Sequence, residues 1–94
     1  MKKNTQAVLE AWDVSEPKGK RGDSIWTDGK TVYSYNTWIL AHNAMQNGFE
    51  VNVTKYSATT SRQQNEIQAW LSGGTYRTPF ITVDNQPIGS SERV

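Results

Sequence analysis

An Asp-Gly pair stands between two runs of β-favouring residues, Ser24-Ile25-Trp26-Thr27 before it and Lys30-Thr31-Val32-Tyr33-Ser34-Tyr35 after it. Tight hairpin turns need positive φ, which Asp and Gly tolerate, so Asp28-Gly29 predicts a β-hairpin. A second such pair, Asn47-Gly48, separates the apolar run Thr37-Trp38-Ile39-Leu40-Ala41-His42 from residues 49–56. The latter alternate, with Phe49, Val51 and Val53 on one face and Glu50, Asn52 and Thr54 on the other. The apolar run fits a buried strand or the first turns of a helix reaching Met45, and the second hairpin signal favours the strand. Together the two pairs predict a meander of four antiparallel strands.

The segment Ser57-Ala58-Thr59-Thr60 turns the chain toward a helix over residues 60–71. Thr60 suits the N-cap, with Gln63 as its capping-box partner, and Ser61 with Gln64 repeats the pattern one residue later. Ile67, Trp70 and Leu71 make the apolar stripe, and Arg62, Gln63, Glu66 and Gln68 the wet face. Gly73-Gly74 stops the helix. Residues 79–84 read as a fifth strand that Pro79 opens or holds at an edge. Asp84-Asn85-Gln86-Pro87 is a turn, and residues 88–94 form a loose tail, as do residues 1–5. Val8, Leu9 and Trp12 fall on one stripe of a short helix over residues 6–13, capped by Asn4 or Thr5; a strand over residues 7–14 is the alternative. Residues 15–23, with Pro17, two glycines and several charges, form a loop. The expected fold is α+β, a small antiparallel sheet of four to five strands packed against one helix of the C-terminal half, with a short N-terminal helix possible.

A chain of 94 residues predicts one domain with a small core. Its hydrophobic share of 35% is low. Four Trp, four Tyr and two Phe offset this, because each large ring buries about 150–250 Å². The expectation is therefore an aromatic-rich core, or aromatics shared between a core and an interface. A net charge of +1 argues against duplex binding by bulk charge. The absence of cysteine excludes disulfides, thiol nucleophiles and thiolate metal sites. No apolar run is long enough to span a membrane, and no apolar stretch follows Lys2-Lys3 to make a secretory signal. A cytoplasmic location is the expectation.

Catalysis is hard to assemble from these residues. His42 is the one histidine, and it sits in the apolar run, where a structural role fits it better than that of a base. Carboxylates are spread through loops and turns. Glycine loops for phosphates, dinucleotide fingerprints and metal-ligand spacings are absent, so no cofactor or metal and no enzymatic activity are expected. Three clusters remain. Lys55, Tyr56, Thr59, Thr60, Ser61 and Arg62 put hydroxyls and two cations at a helix start, where unpaired N–H groups favour a phosphate or carboxylate; helix capping accounts for the hydroxyls equally. Lys18, Lys20 and Arg21 make a basic loop, suited to a phosphate or to plain solvation. Trp26, Tyr33, Tyr35 and Trp38 lie on consecutive strands, as core, as protein anchors or as stacking platforms for single-stranded nucleic acid.

The string Trp26-Thr27-Asp28-Gly29-Lys30-Thr31-Val32-Tyr33-Ser34-Tyr35, followed by Val51-Asn52-Val53-Thr54-Lys55-Tyr56-Ser57-Ala58-Thr59-Thr60-Ser61, resembles a family of small uncharacterised proteins from bacteriophages and phage-like bacterial genes. Val8-Leu9-Glu10-Ala11-Trp12 and the charged loop after it are similar to that family's lead-in, so the resemblance covers about residues 6–66. Members often carry a histidine just after the Thr-Thr-Ser element, where this chain has Gln63 and Gln64, which weakens any imidazole role there. The resemblance implies a phage setting and no known activity. The expected function is therefore a small non-enzymatic interaction protein that binds a host protein, such as a defence or regulatory component. The alternative is a nucleic-acid-binding accessory protein that uses the basic loop and the helix start.

Overall fold

The first hairpin closes on one positive φ rather than two. In the computed structural model, which describes residues 1–20, 22–43, 48–73 and 80–86, Gly29 alone in that turn has positive φ, at 97°. Asp28 works through its side chain instead: Oδ1 accepts the N–H groups of Lys30 and Thr31, each at 2.9 Å. The turn joins β1 (Trp26–Thr27) to β2 (Thr31–Ser34), which pair antiparallel. β3 (Thr37–Asn43) and β4 (Gly48–Asn52) continue the meander. The apolar run is thus a strand, and the helical alternative reaching Met45 is not adopted over residues 37–43. Asn47 lies outside the described residues.

The strand order is β1-β2-β3-β4-β5, and the last pairing departs from expectation. β5 (Phe80–Val83) runs parallel to β4, not antiparallel. The reason is the connection. A hairpin reverses the chain, whereas the link from β4 to β5 passes through α2 (Ala58–Ser72) and brings the chain back in its original direction. The molecule is α+β, with a mixed five-stranded sheet and two helices.

A bulge sets the faces of β3. Val32 pairs with Leu40 and Tyr33 with Trp38, which leaves Ile39 as the extra residue. Consecutive Ile39 and Leu40 are consequently both in the main core, with Val32, Phe49 and Val51. Val8, Leu9 and Trp12 of α1 (Lys3–Asp13) and Ile67 and Leu71 of α2 complete that core, so both helices cover one face of the sheet. Tyr33, Trp38 and Ala41 form a second cluster with Trp26 and Val83, on the opposite side by strand alternation.

α1 is a helix, not the alternative strand, and it starts at Lys3, before the Asn4 or Thr5 cap expected. Lys2 is at the N-cap position without a side-chain cap bond. Residues 3–5, expected within a loose tail, are its first turn, because Thr5 joins the buried stripe of Val8, Leu9 and Trp12. The tail expected over residues 88–94 lies outside the described residues.

Trp12, fully buried, joins four elements. Its Nε1–H donates to the Lys30 carbonyl at 2.9 Å, and its ring meets His42 of β3, Phe49 of β4 and Trp70 of α2. The chain after α1 also passes close to the first hairpin turn: a Cβ on Gly29 would stand 2.9 Å from the Ser15 carbonyl oxygen. Gly29→Ala therefore meets both a left-handed φ, which costs an L-residue about 1–2 kcal/mol, and a backbone collision. We expect chemical denaturation to show a loss of at least that size, whereas an unchanged midpoint would contradict the turn geometry.

Candidate functional site

The start of α2 is built one turn earlier than its sequence suggests. Ser57, extended at φ −147° and ψ 168°, is the N-cap and accepts the Thr60 N–H at 3.2 Å. Thr60 is not the cap because its place in the helix is N3, where the backbone N–H is what a cap side chain receives. Its hydroxyl turns inward instead. Thr60 Oγ1 lies 2.8 Å from Ser34 Oγ, and Ser57 Oγ donates to it at 3.1 Å. Ser34 Oγ donates to Gln63 Oε1 at 2.6 Å.

Gln63 and Gln64 complete this seam. Gln63, read as wet from sequence, is 1% exposed, and Gln64 is 3% exposed. Gln64 Nε2 donates to the Asn52 carbonyl at 2.6 Å and to the Thr54 carbonyl at 3.0 Å. Asn52 is itself buried, donating from Nδ2 to the Trp38 carbonyl and the Tyr56 hydroxyl, and accepting the Thr54 N–H on Oδ1. The signal for these amides was present in the sequence. Thr60, Gln64, Ile67 and Leu71 follow helical spacing, so the apolar stripe extends backward through polar side chains.

Several of the anion-site candidates have partners within the protein. Arg62 falls in the second turn of α2, and its Nε lies 3.4 Å from Glu66 Oε1. Glu66 Oε2 accepts the Lys2 backbone N–H at 3.0 Å, tying the start of α1 to α2. The Tyr56 hydroxyl donates to the Gln86 carbonyl at 3.1 Å. The Ser61 N–H goes to the Ser57 carbonyl at 2.9 Å. Thr59 and Ser61 are half-buried and Lys55 is exposed. The structure brings Ser57 and Thr60 together with Ser34 and Gln63; Thr60 faces the interior, and Arg62 faces a carboxylate.

The aromatic set divides. Tyr33 and Trp38 are 5% and 2% exposed, so of the readings open to them the core holds, and neither is an interface candidate. Trp26 stacks on Tyr33 with centroids 4.3 Å apart and planes 19° apart. Its Nε1–H donates to the Tyr35 carbonyl. Tyr35, at φ 56° in the turn between β2 and β3, is the ring of the four left 48% exposed. The basic loop joins this corner. Lys18 exchanges both backbone bonds with Thr27, at 2.9 and 3.0 Å, and Gly19 lies against Trp26. The Lys20 N–H is held by Asp23 Oδ2 at 2.8 Å. Lys18 and Lys20 are exposed, and Arg21 lies outside the described residues.

A concavity that sequence reasoning missed lies where the start of the chain meets the last turns of α2. It has a volume of about 320 Å³ and is lined by Met1, Ala69, Trp70 and Gly73, with Glu66 contributing charge. Met1 is 53% exposed, Ala69 is exposed and Trp70 is half-buried, its inner side against Trp12. Glu66, Ala69, Trp70 and Gly73 share one helix face by their spacing, but nothing local brings Met1, distant in sequence, against them.

His42 stacks on Trp12 at 4.5 Å and 19°, with Phe49 edge-on at 5.3 Å. Burial lowers its pKa below the ordinary value, and the charge of Asp13 partly opposes this. A base whose pKa is depressed by folding contributes stability that is present above its unfolded pKa, about 6.5, and lost as the pH falls through the folded value. Among the described residues no group of three or more His, Asp and Glu side chains is placed to hold a metal ion. No helix among them is long and apolar enough to cross a membrane.

A family model matches residues 3–78, and its description is a family of unknown function (DUF8033). The match takes in α1 through α2 and ends before β5. No curated protein and no solved structure matches the chain.

Two outcomes are expected of this region. Gln64→Leu leaves the Asn52 and Thr54 carbonyls short of a donor and should lower unfolding free energy by about 1–3 kcal/mol with the denaturant slope unchanged; a neutral effect would contradict the seam. Lowering the pH below about 6.5 should reduce the thermal midpoint of the wild type more steeply than that of His42→Gln. Equal pH slopes would remove His42 from the account.

Proposed function

The chain belongs to the DUF8033 family, whose description names no activity, and from the geometry of its own surface we propose that it is a non-enzymatic interaction protein that binds another protein. The observation that carries this reading is the apolar concavity beside Trp70. A cavity of about 320 Å³ falls within the size range of binding sites, and a half-buried tryptophan at its wall is the side chain most enriched among interface anchors. Its lining is apolar apart from Glu66, whose carboxylate already accepts the Lys2 N–H and faces Arg62. A partner that presents an apolar side chain therefore suits it better than a phosphate chain does. The resemblance to phage-borne proteins supports a host protein as that partner.

Nucleic-acid binding is the second reading, and one observation favours it: Lys18 and Lys20 are brought beside the Trp26–Tyr33 stack. It is the weaker reading because its cations do not converge. Lys18 pairs on the outer side of β1 and Lys55 follows β4, four strand spacings or about 19 Å away. Arg62 is paired with Glu66.

Affinity capture from host lysate, with and without nuclease, separates the two. The proposal expects a protein captured equally in both conditions and retained at high salt, since phosphate contacts weaken steeply with salt and an apolar interface does not. Ala69→Arg, at an exposed helix position, should reduce affinity for that protein by tenfold or more, about 1.4 kcal/mol, without altering the fold. Capture that disappears with nuclease, or a partner indifferent to Ala69→Arg, would contradict it.

A further inference from the structure

The two edges of the sheet are treated differently. β1 is two residues long, and its outer side is closed: Lys18 takes both the N–H and the carbonyl of Thr27. β5 is four residues long and, among the described residues, pairs on one side only, with β4. Pro79 and Asp84 flank this strand in the sequence, but the strand itself carries none of the residues that commonly blunt an edge. Phe80-Ile81-Thr82-Val83 contains no charge, proline or glycine. Ile81 is 42% exposed, and Thr82 is exposed.

Hydrogen-bond direction fixes which groups face outward. Val83 pairs with Asn52, and its carbonyl accepts the Val53 N–H at 2.8 Å. In a parallel pair the backbone groups of one residue point to the same side, and those of its neighbours to the other. Val83 and Ile81 therefore direct their N–H and C=O toward β4, and Phe80 and Thr82 direct theirs away from the sheet.

We propose that β5 pairs with β5 of a second copy of this chain, antiparallel across a twofold axis at Ile81, to make one continuous sheet. Phe80 and Thr82 of one copy then exchange both backbone bonds with Thr82 and Phe80 of the other. Ile81 meets its own equivalent in the non-hydrogen-bonded position, where side chains are closest. This buries the exposed apolar side chain of the edge strand. A second copy suits the edge better than a charged partner, because the strand offers no charge to complement. It places no like charges opposite each other either, and a net charge of +1 gives two copies little mutual repulsion. An isologous contact of this kind closes at two copies and does not propagate.

The chain has no cysteine, so Ile81→Cys places a single thiol on each copy. Across this axis the two Cα atoms lie about 4.5 Å apart, within the range a disulfide spans. Analytical ultracentrifugation of the full wild-type chain over a range of concentrations is expected to show the dimer mass. Mild oxidation of the Ile81→Cys chain should yield a covalent dimer on denaturing gels. Ile81→Lys should sediment as a monomer with an unchanged far-UV circular dichroism spectrum. The crosslink tests the contact even if the lysine variant folds poorly. A wild type that is monomeric at every concentration overturns the proposal and leaves the edge to a strand of another protein. A dimer that survives Ile81→Lys and gives no crosslink at residue 81 overturns it as well.

Discussion

The arrangement of this molecule depends on a polar seam buried between α2 and the sheet. Helices of small domains normally dock through an apolar stripe, and the C-terminal half of α2 does so with Ile67 and Leu71. The N-terminal half presents Thr60, Gln63 and Gln64, all buried, to Ser34 and to the backbone at the end of β4. Desolvating such groups is unfavourable unless each finds a partner at a defined distance and direction. Apolar packing tolerates sliding by a turn more readily, whereas these bonds form at one register of the helix. The seam therefore fixes where α2 lies, and through its length where the chain re-enters the sheet. β5 arrives parallel to β4 for that reason, with the backbone N–H and C=O groups of Phe80 and Thr82 directed away from the sheet.

The aromatic core does the complementary work. Trp12 gathers α1, the first hairpin turn, β3, β4 and α2 around one side chain. Its indole N–H is satisfied by a carbonyl, so the ring is buried without an orphaned donor. The inner side of Trp70 rests on this assembly while its outer side walls the concavity between the start of the chain and α2. The proposed binding surface is thus an extension of the core, held rigid by the rings beneath it. On the opposite face of the sheet, Tyr33 and Trp38 are held in a second small cluster.

What the sequence made legible follows from which interactions are local. Asp28-Gly29 and the alternation after Gly48 depend on residues within a few positions, and the meander could be read from them. The short helix around Val8, Leu9 and Trp12 was legible in its stripe. Its start at Lys3 was not, because the Lys2 N–H finds Glu66, far away in the chain. The cap of α2 moved from Thr60 to Ser57 because Thr60 was claimed by Ser34, again at long range. The same competition took Gln63 out of solvent. Arg62 and Glu66 stand four residues apart in the helix whichever residue caps it, so their pairing is a local interaction. With Ser57 as cap, Arg62 falls a turn further in. The concavity at Trp70 is made by one face of the last turns of α2 together with Met1, and only the docking of Met1 there has no local pattern.

The seam is tested most directly by a double-mutant cycle across it, with Ser34→Ala and Gln63→Leu measured singly and together by equilibrium denaturation. Ser34→Ala leaves the buried Gln63 amide oxygen without its donor, Gln63→Leu leaves the Ser34 hydroxyl with Thr60 as its remaining partner, and the double change removes the bond between them altogether. The account predicts that the double variant is more stable than the sum of the single losses implies, by about 1–3 kcal/mol. Additivity to within about 0.5 kcal/mol would mean that the two side chains do not interact across the interface and that α2 is held by its apolar half alone.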